Sequence, residues 1–518
     1  MTGAQTVARL ADRAAERYGD EEALVFGEDR WTFTELRDRV DRVARAVIAR
    51  GARPGDSVAV WAPNSARWVV AALGAVAAGG VLVPVNTRYK AAEAADILRR
   101  SRARLLFTEH DFLGTDYRAV LAASGEELPL LDGTVTLHSA EWDRFLTGAD
   151  QVTGEERLAR SAAVRPTDTA DILFTSGTTG RPKGVPATHE QNLRVYEAWA
   201  RAVTLLRGDR HLLVNPFFHT FGYKAGVLAC LLHGATIVPE RVFDAETVLG
   251  RMRDERISVL TGAPTLFTSL VHHPRRGEYD LTSMRMAVTG AANIPTALIE
   301  RIRTDIGARN VSTAYGLTES TGVVAVCRPH ESPETLARTS GTALEGTELR
   351  VDAPPGEPGE ILTRGPHVMR GYLDDPEATA EAVDAEGWLH TGDVGVLDER
   401  GFLRITDRLT DMFVVGGFNV YPAEVEQVLR GHPSVLDAAV VGAPDERLGE
   451  VGVAYCVPAA GARVDTAVLT AYTRERLANF KTPRAFYALA ELPHNAAGKV
   501  DKAALRRRTT TLRTAPTG

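Results

Sequence analysis

The stretch "FTSGTTGRPKG", residues 174–184, combines hydroxyl side chains, glycines and one lysine in eleven residues. Glycines let backbone N–H groups approach an anion closely, while the hydroxyls and Lys183 add donors and positive charge. This chemistry suits a pyrophosphate group. The common triphosphate-binding loop, G-x-x-x-x-G-K-S/T, is disfavoured because Lys183 follows Pro182 and Gly184 takes the place of the magnesium-binding hydroxyl.

Helical and extended patterns alternate upstream of this loop. Apolar residues at helical spacing predict a helix within residues 34–51. "SVAVWA", residues 57–62, predicts a strand, and Asn64 or Ser65 can cap a second helix. "VLVPVN", residues 81–86, predicts the next strand. The order helix, strand, helix, strand is typical of an α/β fold.

Short apolar runs continue downstream of the loop, separated by segments of helix length. They are "HLLVNPFF", "ATIVPE", "ISVLTGAP", "MRMAVTGAA" and "VSTAYG". This pattern predicts mostly parallel sheets covered by helices on both faces. Many of the runs end in Gly, Pro or small polar residues, and ligands of such sheets gather at the carboxyl ends of the strands.

The pattern of the sequence changes after about residue 340. Gly- and Pro-rich turns between short alternating runs predict a small antiparallel, β-barrel-like subdomain. From Asp411 onward the patterns mix helices with strands over a length typical of a domain. We therefore expect a large N-terminal domain, residues 1–409, and an α+β C-terminal domain, residues 410–518, joined near the polar segment "DRLTD", residues 407–411, which could act as a hinge.

The bulk composition is that of an ordinary globular protein. The chain has 518 residues, 44% of them hydrophobic and 25% charged, and a formal net charge of -7, which disfavours a nucleic-acid partner. Its three cysteines, Cys230, Cys327 and Cys456, have no paired spacing, so we expect neither disulfides nor a zinc site. The N-terminus lacks a signal-peptide pattern, and the most apolar window, residues 69–85, contains glycines and a proline, so we expect a cytoplasmic protein without a membrane span.

Five further motifs follow the loop in a fixed order. They are "YGLTES" (315–320), "GYLDDPEAT" (371–379), "GWLHTGD" (387–393), "ITDRLTDMFVVGGFNVYPAEVE" (405–426) and "LPHNAAGKV" (492–500). Together with the loop they resemble the adenylate-forming (ANL) superfamily of acyl-CoA synthetases, luciferases and nonribosomal-peptide adenylation domains. The resemblance extends from Thr34 to Lys502. It implies an AMP-forming acid–CoA ligase that uses ATP, Mg²⁺ and CoA.

The resemblance also implies roles for individual residues. The loop would hold the β and γ phosphates of ATP, Tyr315 would stack on adenine, Asp393 and Arg408 would contact ribose, and Glu319 would help to bind magnesium. Lys499 would bridge carboxylate and phosphate oxygens during adenylation. The catalytic set implied by the resemblance is Lys499, Glu319 and His219. The nucleotide-binding set is Thr175, Ser176, Gly177, Thr178, Thr179, Gly180, Lys183, Tyr315, Thr318, Asp393 and Arg408. We interpret Trp388 and His390 as framework residues.

Members of the family rotate the C-terminal domain between the two half-reactions. By resemblance, Gly416 and Gly417 in "VVGGFN" would allow close approach of the pantetheine chain of CoA. The hinge position holds Thr410, where the family usually has Asp or Lys, so the efficiency of the thioester step is left open. The alternatives are an enzyme that passes its acyl-AMP to a partner ligase or carrier protein, and a luciferase-like oxygenase. A homo-oligomer is also possible.

The acyl pocket follows from the same resemblance. Amino-acid-activating relatives place an aspartate near "NPFFHTFGYKAG", but this chain has none between Asn215 and Gly226, which disfavours a free α-amino group. The segment resembles ligases for the propanoate on the two-ring remnant of steroid breakdown. We expect a bulky polycyclic or alicyclic acid, steroid- or terpenoid-derived, with a medium- or long-chain fatty acid as the alternative. The predicted wall is Phe218, His219, Tyr223, Lys224, Gly290, Ala291, Gly316 and Gly322.

Lys224 carries a more specific hypothesis. It lies five residues after His219, at a distance along the chain where it could meet a ketone or hydroxyl at the far end of such an acid. Lysine side chains are almost never fully buried without a partner. The hypothesis predicts that Lys224→Met lowers activity more on ketone-bearing acids than on ketone-free acids.

Overall fold

The computed structural model describes residues 6–175, 182–290, 294, 296–357, 359–408, 412–493 and 500–514. The chain divides into two compact units. Unit 1 comprises Met1–Thr87, Ala95–Leu173 and Gly184–Thr406, and unit 2 comprises Arg88–Ala94, Phe174–Lys183 and Asp407–Gly518. The predicted domain boundary between residues 409 and 410 lies outside the described residues and stays a prediction.

Helices and strands alternate along most of the chain up to Arg408. In chain order they are α1 (Leu10–Tyr18), β1 (Glu22–Phe26), β2 (Asp29–Thr32), α2 (Phe33–Ala49), β3 (Ser57–Trp61), α3 (Ala66–Ala77), β4 (Val81–Pro84), α4 (Ala91–Arg100), β5 (Ala103–Thr108), α5 (Tyr117–Ala122), β6 (Gly133–Thr136), α6 (Ala140–Thr147), α7 (Gly154–Ala163), β7 (Thr169–Thr175), β8 (Lys183–Thr188), α8 (His189–Ala202), β9 (Arg210–Leu213), α9 (Thr220–Gly222), α10 (Ala229–His233), β10 (Thr236–Pro239), α11 (Ala245–Asp254), β11 (Val259–Thr261), α12 (Pro264–Val271), β12 (Met286–Gly290), α13 (Thr296–Asp305), β13 (Asn310–Tyr315), β14 (Ala325–Val326), α14 (Pro333–Arg338), β15 (Thr342–Ala343), β16 (Glu348–Asp352), β17 (Gly359–Arg364), α15 (Pro376–Ala382), β18 (Leu389–Leu397) and β19 (Leu403–Arg408).

Local capping explains where the first long helices begin. Thr32 and Glu35 form a reciprocal capping box at the start of α2. Ser65 caps α3 by accepting a hydrogen bond from the backbone N–H of Trp68. Of the two caps predicted from the sequence, Ser65 is therefore the one used. Both helices and the strands β3 and β4 confirm the predicted alternation.

Unit 1 contains two sheets that are mostly parallel. One has the strand order β6-β5-β3-β4-β7-β8, and its pairs β5–β6, β3–β5, β3–β4 and β4–β7 are parallel. The other has the order β15-β14-β13-β12-β11-β9-β10-β1-β2, parallel from β13 to β1 and antiparallel at both edges. Helix α3 is buried along nearly its whole length in the core of this unit. The prediction of helix-covered, mostly parallel sheets is confirmed.

A separate antiparallel sheet follows in unit 1. Its strand order is β16-β17-β18-β19, and the pairs β16–β17 and β17–β18 are antiparallel. The Gly- and Pro-rich turns after residue 340 are the local reason, because they connect neighbouring strands without a crossover helix. The predicted change to antiparallel structure is confirmed.

Unit 2 is α+β in its described part. Its elements after residue 411 are β20 (Phe413–Val415), β21 (Phe418–Val420), α16 (Pro422–Arg430), β22 (Val435–Asp445), β23 (Gly449–Pro458), α17 (Thr466–Arg476), β24 (Ala485–Ala488) and α18 (Lys502–Thr514). The sheet runs β21-β20-β23-β22, with β24 added parallel to β23. An apolar cluster that includes Val425, Leu429 and Phe413 packs in its core.

Two expectations from composition can be compared with the described residues. Cys230, Cys327 and Cys456 are buried free thiols. Within the described parts of the chain, no helix is both long enough and apolar enough to span a bilayer.

Candidate active site

Glu319 lies in a turn that follows the carboxyl end of strand β13. A short 3₁₀ helix, Thr318–Ser320, positions it, and the hydroxyl of Ser320 closes the turn by accepting from Leu317 N and donating to Leu317 O. The Tyr372 hydroxyl donates to Glu319 Oε1 at 2.9 Å. Two motifs that are distant in sequence therefore meet at one carboxylate, the predicted magnesium ligand.

Tyr315 and Asp393 also come together. The Tyr315 hydroxyl donates to Asp393 Oδ2 at 2.7 Å. The backbone N–H of Asp393 donates to the Thr391 hydroxyl, which in turn donates to the backbone oxygen of Ile361 at 2.7 Å, so strands β17 and β18 hold the carboxylate in place. An aromatic ring beside a carboxylate can stack on a purine base while the carboxylate accepts from sugar hydroxyls.

Trp388 and His390, on either side of the start of β18, have framework contacts. The guanidinium groups of Arg350 and Arg364 lie over the Trp388 ring, 4.4 and 4.6 Å from its centroid. His390 Nδ1 lies 2.9 Å from Glu360 Oε2, and this contact raises the pKa of His390. These contacts agree with our interpretation of both residues as framework.

The phosphate loop is described only at its edges. Thr175 ends β7 and Lys183 begins β8, and the Thr175 hydroxyl donates to Lys183 O at 3.5 Å. Several predicted site residues lie outside the described residues, as does the side chain of Arg408. They are Ser176, Gly177, Thr178, Thr179, Gly180, Ala291, Thr410 and Lys499. Their roles stay predictions.

The loop that carries His219 is held by a buried asparagine. Asn64 Nδ2 donates to the backbone oxygens of Leu213 and Asn215, and Asn64 Oδ1 accepts from Phe217 N at 2.8 Å. Asn64 was predicted only as an alternative helix cap. The structure instead uses its amide to fix the segment before His219, over a separation of 153 residues.

The side chain of His219 is exposed to solvent, and protein atoms also pack around it. Its Nδ1 accepts from the backbone N–H of Phe221 and caps the short helix α9. Desolvation by the surrounding protein lowers the pKa of His219 to about 4. The imidazole is therefore neutral near pH 7 and offers a flat ring and hydrogen bonding rather than a positive charge.

The predicted pocket glycines are required by close backbone packing. A Cβ at Gly316 would overlap the backbone oxygen of Gly322, and a Cβ at Gly290 would overlap that of Ala314. Gly322 also has a φ of +105°, which L side chains rarely adopt. The sequence predicts these glycines in the wall of the acyl pocket. The structure gives a packing reason for Gly290 and Gly316, because the positions of their Cβ atoms are filled by neighbouring backbone.

Lys224 is fully buried and paired. Its Nζ lies 2.8 Å from Asp171 Oδ1, and the two side chains are 1% and 0% exposed. Asn192 Nδ2 donates to the second oxygen of Asp171. Burial lowers the pKa of Lys224, while the charge of Asp171 opposes that shift. The partner of Lys224 in the structure is thus a protein carboxylate on strand β7.

Two models of known families match the sequence. The model described as "AMP-binding enzyme" matches residues 11–373, and "AMP-binding enzyme C-terminal domain" matches residues 424–499. The first covers well over half of the chain. This chain is an AMP-binding enzyme.

Curated relatives extend over nearly the whole of this AMP-binding enzyme. A ligase of Rhodococcus jostii RHA1 is 50% identical over 503 residues, covering 95% of this chain and 97% of that protein. A ligase of Mycobacterium tuberculosis H37Rv is 51% identical over 507 residues, covering 97% and 98%. Both are named as CoA ligases for a propanoate on a 7a-methyl-1,5-dioxo-octahydro-indenyl skeleton. The prediction of an AMP-forming acid–CoA ligase is confirmed.

Solved structures support the same fold. The o-succinylbenzoate CoA synthetase of Bacillus subtilis superposes with a TM-score of 0.84 at 30% identity, covering 98% of both chains. An amide bond synthetase of Marinactinospora thermotolerans superposes with a TM-score of 0.82 at 29% identity, covering 96% of this chain and 99% of that one. The predicted ANL fold is confirmed.

The carboxylate of Glu319 fits the way in which proteins commonly bind a magnesium nucleotide. In the part of the chain that the structure describes, no three His, Cys, Asp or Glu side chains are grouped to hold a metal ion. Mg²⁺ is commonly bound by one or two carboxylates together with substrate phosphates. A single carboxylate, Glu319, positioned by the hydroxyl of Tyr372, fits that mode.

The sequence analysis missed three residues that contact the predicted site residues. Tyr372 lies inside the motif "GYLDDPEAT" but was given no role, although a tyrosine directly after a glycine and shortly before two aspartates was a usable signal. Asp171 was also missed, and its signal was a carboxylate within the apolar strand "ADILF". Asn64 offered no signal beyond its capping propensity, because its contacts to the His219 loop are long-range.

Proposed function

We propose that this enzyme activates, with ATP, a propanoate carried on a saturated two-ring skeleton and transfers the acyl group to CoA. The observation that carries this proposal is the 50–51% identity, over nearly the full length of both chains, to the two ligases of that substrate class. The absence of an aspartate between Asn215 and Gly226 supports an acid without a free α-amino group.

In the first half-reaction, the substrate carboxylate attacks the α-phosphorus of ATP, forming acyl-adenylate and releasing pyrophosphate. The protein supplies no nucleophile. Its task is to align two anions that repel each other. Tyr315 and Asp393 would hold the adenosine, and Thr175 and Lys183 would contact the departing phosphates. Mg²⁺ bound at Glu319 would stabilise the negative charge on the phosphate oxygens.

The acid would lie beside His219. A neutral imidazole is suited to this position because it can border the carboxylate without pairing with it so strongly that attack on phosphorus is slowed. By family resemblance, Lys499 would bridge the reacting oxygens. In the second half-reaction the CoA thiol attacks the mixed anhydride and AMP leaves, with Gly416 and Gly417 beside the pantetheine chain.

Pyrophosphate release tests the first half-reaction. Purified enzyme is incubated with ATP, Mg²⁺ and a panel of acids: the two-ring dioxo propanoate, ferulate, a medium-chain fatty acid and an amino acid. Mass spectrometry with and without CoA then identifies acyl-AMP and thioester. We expect the two-ring acid to give the highest rate and a CoA thioester. Pyrophosphate without thioester would instead favour transfer to a partner protein, and equal rates with all acids would contradict the substrate proposal.

Glu319→Gln provides the matched active-site variant. Removing one preorganised contact to the developing charge typically lowers the rate about a hundred- to a thousandfold, and we expect a loss of that order in pyrophosphate release. The control is Glu345→Gln, because the side chain of Glu345 is 73% exposed and pairs only with Arg201 among the described residues. Equal rates for the two variants would contradict the role of Glu319.

A further inference from the structure

A buried polar cluster in unit 1 includes two residues of the predicted acyl pocket, Tyr223 and Lys224. We define it as Asp171, Asn192, Tyr223 and Lys224. Strand β7 contributes Asp171, helix α8 contributes Asn192, and a π-helix, Tyr223–Leu228, contributes the other two. All four side chains are at most 1% exposed. Charged groups are seldom buried so completely, because removing them from water is costly.

The cluster has unused hydrogen-bonding capacity. A lysine ammonium has three N–H donors, and its partner in the described structure is Asp171 Oδ1. At this distance the pair shares a charge-assisted hydrogen bond, and the second lone pair of Oδ1 keeps capacity as an acceptor. Among the described residues, the Tyr223 hydroxyl and Asn192 Oδ1 have no hydrogen-bond partner. Buried polar atoms without partners are rare in native proteins and call for an explanation.

The cluster is linked to the pocket through two elements. The π-helix directly follows α9, the short helix that His219 caps, so Tyr223 and Lys224 continue the segment that borders the acid. π-Helical turns are rare and are often found at functional sites. Helix α8 makes the second link: Tyr196, one turn after Asn192 on the same face, donates to the backbone oxygen of Thr321, next to Gly322.

The charge balance indicates which group the cluster could bind. Asp171 neutralises Lys224, so a second carboxylate or an amine on the substrate would enter without a compensating charge. A neutral oxygen function, such as a ketone, needs no compensating charge. A ketone oxygen can accept from Lys224 N–H and from the Tyr223 hydroxyl, while Asp171 and Asn192 orient the donors.

We propose that the Asp171–Lys224 pair, together with Tyr223, is the specificity element that receives a ketone oxygen on the ring system of the acid, at the end remote from its carboxyl group. This inference rests on the proposed function. The substrate named for the two ligases of Rhodococcus jostii and Mycobacterium tuberculosis carries two ring oxo groups, and the one at position 1 lies on the ring that does not bear the propanoate. A purely structural alternative is that the pair only joins β7 to the π-helix.

The test compares kcat/KM for CoA thioester formation on two acids, the 7a-methyl-1,5-dioxo-octahydroindenyl propanoate and the same skeleton without oxo groups. The first variant is Lys224→Met. It leaves Asp171 buried without its partner and can lose stability for that reason. The second variant, Asp171→Asn/Lys224→Met, removes both charges at nearly constant volume and decides the outcome if the single variant does not fold.

We expect wild-type enzyme to prefer the dioxo acid. The variants should lose about ten- to a hundredfold more kcat/KM on the dioxo acid than on the oxo-free acid, as for a lost hydrogen bond to a charged donor. The two acids that carry only one of the oxo groups should identify the ring oxygen involved. Only one of them should show the same loss of kcat/KM in the variants as the dioxo acid.

The control is a second buried ion pair of unit 1. Arg157 Nη1 lies 2.7 Å from Asp12 Oδ2, and both side chains are largely buried. The variant Asp12→Asn/Arg157→Met should lower thermal stability and leave the ratio of the two kcat/KM values unchanged. Equal losses on both acids in the Lys224 variants, or no preference in wild type, would overturn the inference. Failure of wild type to form thioester from any of these acids would instead count against the proposed function.

Discussion

At the scale of single residues, Asp393 shows how position and chemistry combine. Its backbone is held by Thr391 and its carboxylate accepts from the Tyr315 hydroxyl at 2.7 Å. A carboxylate with two oxygens can keep this contact and still accept from a sugar hydroxyl. The structure thus supplies the contact between Tyr315 and Asp393, and the binding of adenosine by this pair stays a prediction.

Asp393→Ala tests that prediction. Hydrogen bonds to charged groups contribute about 1.5–3 kcal/mol, so we expect the KM for ATP to rise roughly ten- to a hundredfold. The KM for the acid should change little. Steady-state pyrophosphate release at varied ATP measures both constants. The control is Glu399→Gln in the exposed turn that follows β18. A KM for ATP equal to that of wild type in the Asp393 variant would contradict the assignment.

At the scale of elements, the hairpin of β20 and β21 explains a pair of glycines. Val415 and Phe418 pair across the hairpin, and Gly416 and Gly417 form the two-residue turn with φ of +56° and +86°. Such turns need positive φ at both central residues, which favours glycine. The glycines therefore have a structural reason, and the contact with CoA stays a proposal.

Gly416→Ala separates the two roles. An L residue in the left-handed conformation costs roughly 1–2 kcal/mol, and a Cβ here would meet Leu448 Cδ2 at 3.4 Å. We expect the KM for CoA to rise about fivefold or more, while acyl-AMP formation without CoA stays near wild type. Gly461→Ala is the matched control, because Gly461 has a φ of +74° and open space at its Cβ. The same change in both variants would contradict a role for the hairpin in CoA binding.

A second feature at the element scale is a buried lysine between two glutamates in unit 2. Lys481 Nζ lies 2.8 Å from Glu93 Oε1 and 2.6 Å from Glu424 Oε1, and its side chain is 1% exposed. Burial raises the pKa of Glu424, and Lys481 opposes that shift. Against the effect of its own burial, the charges of Glu424 and Glu93 raise the pKa of Lys481. The three groups form one interdependent set.

Lys481→Met should strongly destabilise the protein. Removing one member of a buried charged set typically costs about 3–5 kcal/mol, because the remaining charges lose their partner. Thermal unfolding followed by circular dichroism measures the effect. Arg476→Met removes a cation from the exposed pair with Glu475, and exposed pairs contribute only about 0–1 kcal/mol. Equal melting temperatures of the two variants would show that the Lys481 set contributes no more than a surface pair.

At the scale of the whole molecule, buried histidines make stability depend on pH. Burial lowers the pKa of His189 to about 4, of His211 to about 3 and of His367 to about 4. In the unfolded chain these side chains titrate near 6.5. Between these values the unfolded chain binds more protons than the folded one. The stabilisation is therefore complete above pH 6.5 and is lost as the pH falls toward 4.

The free energy of unfolding should fall on acidification from pH 7.5 to 5. Each such histidine contributes a slope of up to about 1.4 kcal/mol per pH unit within the window. Urea denaturation at pH 7.5, 6 and 5 measures the slope. The substitution control is His330→Gln, because the side chain of His330 is 78% exposed. A free energy that stays constant or rises between pH 7.5 and 5 would contradict the prediction.

The fold was predictable from the sequence because its signals are local. Helix α2 follows from apolar spacing and from the Thr32–Glu35 box, which acts over three residues. The parallel sheets follow from short apolar runs separated by helix-length segments. The sequence does not decide whether Asn64 or Ser65 caps α3. Capping propensity alone does not show that the side-chain amide of Asn64 binds a distant loop instead.

The site was predictable only in part. The residue types Tyr315, Glu319 and Asp393 followed from motifs, but the contact of Glu319 with Tyr372 joins residues 53 positions apart. The burial of Lys224 against Asp171 likewise depends on how β7 packs against the π-helix. Sequence patterns do not contain such distances, since they arise only when separate elements meet.

By itself the sequence determined the family, the ligase chemistry and the order of the elements, because ordered motifs and hydrophobic periods are properties of the linear chain. Only the tertiary structure decided that Asn64 holds the His219 loop, that Gly290 and Gly316 face neighbouring backbone, and that Lys224 pairs with a buried carboxylate. The physical reason is that burial and pairing depend on the packing of residues distant in sequence. Packing also sets the free-energy cost of burying a charged group.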